Sequence, residues 1–417
     1  MQEIRYIELF AGIGGFGLGL QQSLDKRGVK PLLVLASEID VQASETFDMN
    51  FDYDPLSNVR EIENLPPHDI LFAGFPCQPF SYAGAKKGFA ETRGTLFFEI
   101  MRLIDTSPPK LMILENVRGL ITNDQGRTIH TIETEIRKRG YSFQLLVLNS
   151  ANFGVPQNRV RTYMVCVKDR SDDEFVKLES NYGPPDSHTI SSLGEDFMKV
   201  GDILQDNPDP SYNCSPEFVE GVKIALGGNL STIDGRRFID YRGGHSIHSW
   251  EMGLKGKCSQ QEIDFMNKFI LQRRNKKFGT HRDGKMLSKE QISTFWIEGL
   301  DGILASLVEK NYLKIVDGNR YKPVSGNYSF EVFKVLDKNS ISITIVSSDC
   351  SKLGIYHNDR LRRVTPREVA RIQGFPDSFK LHKSDHRAYF QLGNAVSVPV
   401  VKQLCDLVLD NLLPNTD

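Results

Sequence analysis

The chain has 417 residues, of which 40% are hydrophobic and 25% charged, and its net charge is −2. That balance excludes a disordered, collagenous or disulfide-dense chain and describes an ordinary globular protein long enough for two or three domains. No apolar run approaches the roughly 18 residues of a membrane span. The N-terminus enters a strand almost at once, without a signal peptide, so a cytoplasmic protein off the membrane is expected.

Strand and helix patterns alternate through about residue 170. Tyr6–Phe10 reads as a strand and Gly17–Leu24 as a helix. Leu32–Ser37 is a second strand, followed by a helix over Val41–Asn50. Ile70–Gly74, Leu111–Glu115, Phe143–Asn149 and Arg161–Val167 are further strands, and Phe97–Thr106 and Thr128–Arg139 are helices, all from apolar periodicity. This is the pattern of an α/β protein with a doubly wound, mostly parallel sheet covered by helices on both faces. Ligands on such sheets bind at the C-terminal strand ends, where Phe10, Glu38, Cys77 and Glu115 fall.

After the first strand comes Gly12-Ile13-Gly14-Gly15-Phe16-Gly17, with Glu38 about 20 residues beyond, the form of a dinucleotide fingerprint. Glycines let the backbone approach a ligand, and a carboxylate binds any adenosine ribose diol. The loop therefore predicts an adenosine cofactor and leaves NAD and S-adenosylmethionine (SAM) both open.

Cys77 lies in Gly74-Phe75-Pro76-Cys77-Gln78-Pro79-Phe80-Ser81. The two prolines forbid a helix or ladder through it, so the thiol is placed where a strand leaves the sheet. The other five cysteines (Cys166, Cys214, Cys258, Cys350, Cys405) are scattered without Cys-x-x-Cys spacing, as expected for reduced thiols without structural zinc. His245 and His248 have metal-like spacing but no supporting carboxylate or cysteine cluster, and no metal is expected.

Phe10-Ala11-Gly12-Ile13-Gly14-Gly15-Phe16, the Cys77 segment, Glu115-Asn116-Val117-Arg118-Gly119-Leu120, Gln157-Asn158-Arg159-Val160-Arg161, Arg371-Ile372-Gln373-Gly374-Phe375-Pro376 and Gln391-Leu392-Gly393-Asn394-Ala395-Val396 occur in that order. Over about 1–167 and 360–417 the chain resembles the cytosine-5 DNA methyltransferases. The resemblance implies a SAM-dependent enzyme of the bacterial or phage restriction–modification type, acting on double-stranded DNA as a monomer and functionally paired with a restriction endonuclease. Carbon 5 of cytosine is a poor nucleophile, and a thiolate adding at carbon 6 turns the ring into a reactive enamine. The resemblance gives Cys77 that role, although an ordinary thiol pKa of about 8.5 needs nearby positive charge to yield thiolate. Glu115 would supply a proton or hydrogen bond at ring N3, which burial favours by keeping the carboxyl protonated. Arg161 and Arg159 would hold the charge gathering on ring O2, and the family's Q-x-R-x-R pattern makes Arg161 the better candidate for the base contact. No residue is identified that removes the C5 proton.

By the same resemblance Phe10, Ala11, Gly12, Gly14 and Pro76 line the cofactor, Glu38 takes the ribose, and Ile39 covers the adenine. Asn58 stands where the family usually has an aspartate near the adenine amine, and its carbonyl can still accept. Asn394 and Val396 belong to the turn near the methionine end, before an apolar helix over Val396–Leu413 that packs back beside the first strand. Ser81, Lys86, Lys87 and Arg93 belong to a small, basic segment resembling the family's mobile loop, which closes over DNA and reaches phosphates. Closure would hold the target base flipped out of the duplex.

The expected division is a catalytic domain over 1–170, completed by 390–417, and a smaller target-recognition domain over 171–389, variable over about 171–345. Between Lys255 and Lys289 ten Lys/Arg face three acids, and a second basic stretch holds Arg360, Arg362, Arg363, Arg367 and Arg371. Concentrated basic patches on a neutral protein can hold a polyanion, and Arg273, Arg274, Lys276 and Lys277 are expected to grip phosphates. Helices over Ser288–Trp296 and Gly302–Lys310, then a hairpin of Tyr312–Val316 and Arg320–Pro323, suggest a winged-helix-like insertion. A tRNA cytosine-5 methyltransferase is the alternative reading, and an NAD-dependent oxidoreductase a third that leaves Cys77, Glu115 and Arg161 without joint purpose.

Overall fold

The computed structural model describes residues 3–76, 96–172, 197–241, 246–279, 285–324 and 330–412. All six strands expected in the first 170 residues form: β1 (Glu3–Leu9), β2 (Lys30–Ser37), β3 (Ile70–Gly74), β4 (Leu111–Val117), β5 (Gln144–Asn149) and β6 (Val160–Val167). Between them lie α1 (Gly15–Asp25), α2 (Val41–Phe51), α3 (Leu96–Ile104), the short α4 (Gly119–Thr122) and α5 (Arg127–Arg137). The strands make one sheet in the order β2-β1-β3-β4-β6-β5. Only β6 runs against its neighbours, antiparallel to both β4 and β5. Residues 70–73 of β3 and 111–114 of β4 are buried without alternation, as central strands covered on both faces require.

Contacts divide the chain into two units: Met1–Leu204 with Asn339–Cys350 and Pro366–Asp417, and Gln205–Lys338 with Ser351–Thr365. The second unit holds α6 (Pro216–Ala225), β7 (Arg237–Phe238), β8 (Ser246–Ile247), α7 (Gln260–Gln272), β9 (Leu287–Ser288), α8 (Lys289–Ser293) and α9 (Leu300–Glu309). It continues with β10 (Leu313–Val316), β11 (Arg320–Pro323), β12 (Lys334–Leu336), β13 (Leu353–His357) and β14 (Arg360–Arg363). Its strands form a five-stranded sheet, β14-β13-β12-β7-β8, and a three-stranded one, β10-β11-β9. The expected hairpin is β10–β11. The helix expected over Ser288–Trp296 is shorter, because Ser288 pairs with Arg320 in the sheet and caps α8 through a box with Gln291. A separate core joins Phe265 and Phe269 of α7 to Leu304 and Leu307 of α9 and to Leu287 and Leu313.

The first unit is completed by α10 (Pro366–Ile372), α11 (Asp385–Asn394) and α12 (Val398–Leu412). Here the spatial boundaries depart from the sequence division: 339–350 and 366–389 pack with the first unit. Side-chain donors do the tying. Gln157 Nε2 donates to Gln373 Oε1 at 2.9 Å, and Arg371 donates to the Ile203 carbonyl at 2.9 Å. By length and composition Asp385–Leu409 passes for a membrane span, yet most of it is buried. Val400, Val401, Leu404 and Val408 of α12 share a core with Phe16, Leu20 and Leu24 of α1 and with one face of the sheet. A Cβ on Gly19 would lie 2.7 Å from Val401 Cβ, so glycine is what lets the two helices meet. The opposite sheet face carries α3 and α5.

Candidate active site

The chain leaves β1 through a turn that few residues can make. Phe10, Gly12 and Gly14 have φ of 57°, 56° and 86°, the left-handed region that glycine enters without cost. Gly14 is the N-cap of α1. A Cβ there would lie 2.1 Å from the Phe51 ring, and one on Gly15 would lie 2.7 Å from Val396 Cγ2. At Gly12 a Cβ would meet nothing within 4 Å, so this side of the turn faces open space. That space is a cavity of about 330 Å³, within the range of small-molecule sites.

Two carboxylates organise the cavity wall. Glu38, at the end of β2, accepts from the Gly12 amide at 2.8 Å through Oε2 and from the Asp40 amide at 2.8 Å through Oε1. Each oxygen keeps a lone pair for a ribose hydroxyl. Glu8, fully buried in β1, accepts from the Phe16 and Gly17 amides at 3.3 and 2.9 Å. These are orphan donors of the first turn of α1. Burial pushes the Glu8 pKa up to about 8, against the two amides. Phe10, Ala11, Ile39, Asn58, Pro76, Asn394 and Val396 line the same cavity. Ile39 is 71% exposed and Phe390 38%, so two apolar surfaces stand open where a flat, apolar adenine would cover them. The Asn58 carbonyl already accepts from the Arg60 amide at 3.1 Å. The donor set and the open face of the turn fit SAM.

Glu115 also lines this cavity. It follows the buried run of β4, and the antiparallel register with β6 sets Glu115 opposite Tyr163 and Val117 opposite Arg161. Arg161 therefore lies diagonal to Glu115 on one face, with Nε 3.2 Å from Oε1. Burial raises the Glu115 pKa, and the Arg161 and Arg159 charges work against that rise. Arg159 is turned away. Its Nη1 donates to the Ile345 carbonyl at 2.7 Å and its Nη2 to the Ala395 carbonyl at 2.8 Å. Cys77, Ser81, Lys86, Lys87 and Arg93 lie outside the described residues.

Residues 4–409 match the family profile of the C-5 cytosine-specific DNA methylases. The chain belongs to that family. This methyltransferase is 49% identical over 415 residues to the type II methyltransferase M.BanI of Aneurinibacillus aneurinilyticus, covering 98% of this chain and 96% of that one. To M.HgiCI of Herpetosiphon aurantiacus it is 51% identical over 408 residues, covering 96% of each. Its fold is shared with the crystal structure of the S. pombe Dnmt2 methyltransferase, at a TM-score of 0.51 and 17% identity over 98% of this chain and 99% of that one. The enzyme is a SAM-dependent DNA cytosine-5 methyltransferase.

The basic residues of the methyltransferase divide sharply. Arg274, Lys276 and Lys277 are exposed. Arg273 is corrected: it is 5% exposed, and its Nε donates to the Lys285 carbonyl at 3.1 Å, so it ties the end of α7 down instead of meeting a phosphate. The second basic stretch is largely consumed by folding. Arg362 is buried, Arg363 donates to the Ser211 carbonyl, and Arg367 to those of Pro376 and Phe379. Motif reading missed Glu8 and Phe390 as cavity residues. An acid inside an apolar strand just before a glycine turn was the available signal for Glu8. Phe390 immediately precedes the Gln391–Val396 motif, whose Asn394 and Val396 line the same cavity, and that adjacency was the available signal.

Proposed function

We propose that this methyltransferase modifies carbon 5 of one cytosine within a specific double-stranded DNA sequence, the base being flipped out of the duplex. The observation that carries the reading is one cavity lined by Glu38, Pro76 and Glu115 together: a ribose carboxylate, the residue preceding the nucleophile and the acid for the base. SAM would supply the electrophilic methyl that carbon 5 takes up, leaving as S-adenosylhomocysteine, and Glu38, Phe10, Ala11, Gly12, Ile39, Asn58, Asn394 and Val396 would hold it, with Gly14 shaping the turn from outside the cavity lining, against Phe51. The thiolate of Cys77 adds to carbon 6 while Glu115 delivers a proton to N3, so the ring's electron pair moves to carbon 5. Arg161, 3.2 Å from Glu115, orients that carboxyl and stabilises charge on O2. Loss of the C5 proton to a base then re-forms the C5–C6 double bond and expels the Cys77 thiolate, while N3 returns its proton to the Glu115 carboxylate.

Ser81, Lys86, Lys87 and Arg93 would contact the backbone beside the flipped base. Residues within about 171–345 would read the sequence, with Arg274, Lys276 and Lys277, in the basic stretch just before the winged-helix-like part, holding flanking phosphates. Identity near 50% to two type II methyltransferases supports a place in a restriction–modification system. There the enzyme works as a monomer in the cytoplasm and protects host DNA from a cognate endonuclease. A tRNA substrate is less supported, since likeness to Dnmt2 at 17% identity speaks for the fold alone. Bisulfite sequencing of plasmid DNA from a host expressing the chain should show one cytosine protected in one short motif. Cys77→Ser should abolish protection while retaining SAM binding. Protection that survives Cys77→Ser, or methylation of tRNA with none of DNA, would overturn the proposal.

A further inference from the structure

The resemblance favours Arg161 for the base and leaves Arg159 without a distinct role, and the structure gives the two arginines different neighbours. Arg159 is 3% exposed. Its two terminal nitrogens span the Ile345, Gly393 and Ala395 carbonyls. Its backbone is held as well: the amide donates to Asn149 Oδ1 at 3.0 Å, and the carbonyl accepts from the Ser150 amide. A planar guanidinium with both terminal nitrogens on buried carbonyls is a fixed strut, and of its donors only Nε is left without a partner among the described residues. The Gly393 and Ala395 carbonyls belong to the turn that walls the cofactor cavity, where Ala395 and Val396 line the space, while the Ile345 carbonyl anchors the same guanidinium to the 339–350 segment. Val396 in turn rests against Gly15 of the glycine turn. Gln373 holds the end of α11 and the same turn, donating to the Leu392 carbonyl at 2.7 Å and to the Ala395 carbonyl at 3.5 Å.

We propose that Arg159 is a positioning residue for the cofactor, fixing the Gly393–Val396 wall of the SAM cavity, and that Arg161 alone meets the base. A lysine at 159 keeps the charge beside Glu115 but has one nitrogen to place on carbonyls that two now share, so the wall loosens while the local field stays. Two variants separate the roles. Titration calorimetry with S-adenosylhomocysteine should show Arg159→Lys weakening binding by roughly 10–100-fold, in line with the loss of one or two charge-assisted hydrogen bonds. Its KM for SAM should rise in parallel, most of kcat should survive at saturating SAM, and the pH profile should not move. Arg161→Lys should do the reverse, leaving the cofactor Kd unchanged and lowering kcat. An unchanged Kd with a reduced kcat for Arg159→Lys would overturn the proposal by placing Arg159 on the base. Should that variant fail to fold, Gln373→Asn withdraws a donor from the same wall and should weaken cofactor binding at least about 5-fold; unchanged affinity there would be equally fatal. The binding arm needs no DNA and so stands apart from the proposed base chemistry, which the kcat arm alone tests.

Discussion

Glu8→Gln tests whether the carboxyl beneath the glycine turn carries a proton. Burial raises its pKa from the ordinary 4.5 to about 8, while the Gly17 and Phe16 amides favour the anion and Glu38 adds a smaller upward push. The folded protein thus holds this proton more tightly than the unfolded chain does. Such a group supports the fold fully below about 4.5, and the support is lost as pH rises through about 8. At about 1.4 kcal/mol per pH unit, the interval is worth about 5 kcal/mol. Glutamine cannot ionise, so the variant lacks this slope. It also turns an NH2 group toward one of the two backbone amides, at a cost of about 1–3 kcal/mol. The variant should therefore be less stable than wild type near pH 5 and more stable near pH 9. Urea unfolding followed by far-ultraviolet circular dichroism measures both, and titrations elsewhere cancel in the difference. A difference that stays constant across that range would refute the reasoning, because it would mean that the helix amides outweigh desolvation and Glu8 is an anion throughout.

Glu115→Gln should lower single-turnover methyl transfer by about 10²–10⁴-fold. Because burial raises the Glu115 pKa, the wild-type rate should fall as pH rises through that elevated value, and the falling limb should vanish in the variant; a limb that persists assigns the titration to another group. Charge removal at Arg274, Lys276 and Lys277 together should flatten the salt dependence of DNA binding by up to about 2.7 in log–log slope, whereas Arg273→Gln should lower the melting temperature instead. Gly393→Ala places a Cβ 2.3 Å from the Ser347 backbone nitrogen, and should destabilise the protein by about 1–3 kcal/mol, read as a fall of roughly 2–10 °C in Tm. An unchanged Tm would show that 339–350 yields freely.

Where a residue's role is carried by the few residues around it, the sequence reads well. Glu115 ends an unbroken apolar run, Gly14 stands between a strand and a helix, and both lie where that reading puts them. Arg273 shows the limit. In a run of cations it looks like one more surface charge, but the end of α7 and Lys285 close over it. Glu8 was passed over for the opposite reason. An acid in a strand ordinarily faces water, and its compensation comes from amides eight and nine residues on that become donors only once α1 starts.

By itself, then, the sequence determined the α/β class, the strand ends that carry the chemistry and the kind of chemistry they carry. The class and the strand ends follow from local periodicity and turn geometry, and the kind of chemistry from the resemblance that the ordered motifs carry; none of these needs a long-range contact. The motif pattern already favoured Arg161 for the base; tertiary structure alone decided what the neighbouring Arg159 is tied to. Arg161 meets Glu115 through the antiparallel register of β4 and β6, and Arg159 is held by carbonyls 186 and more residues away. The physical reason is that a guanidinium goes where buried carbonyls lack donors, and the chain provides those carbonyls only when its C-terminal turn returns to the first strand.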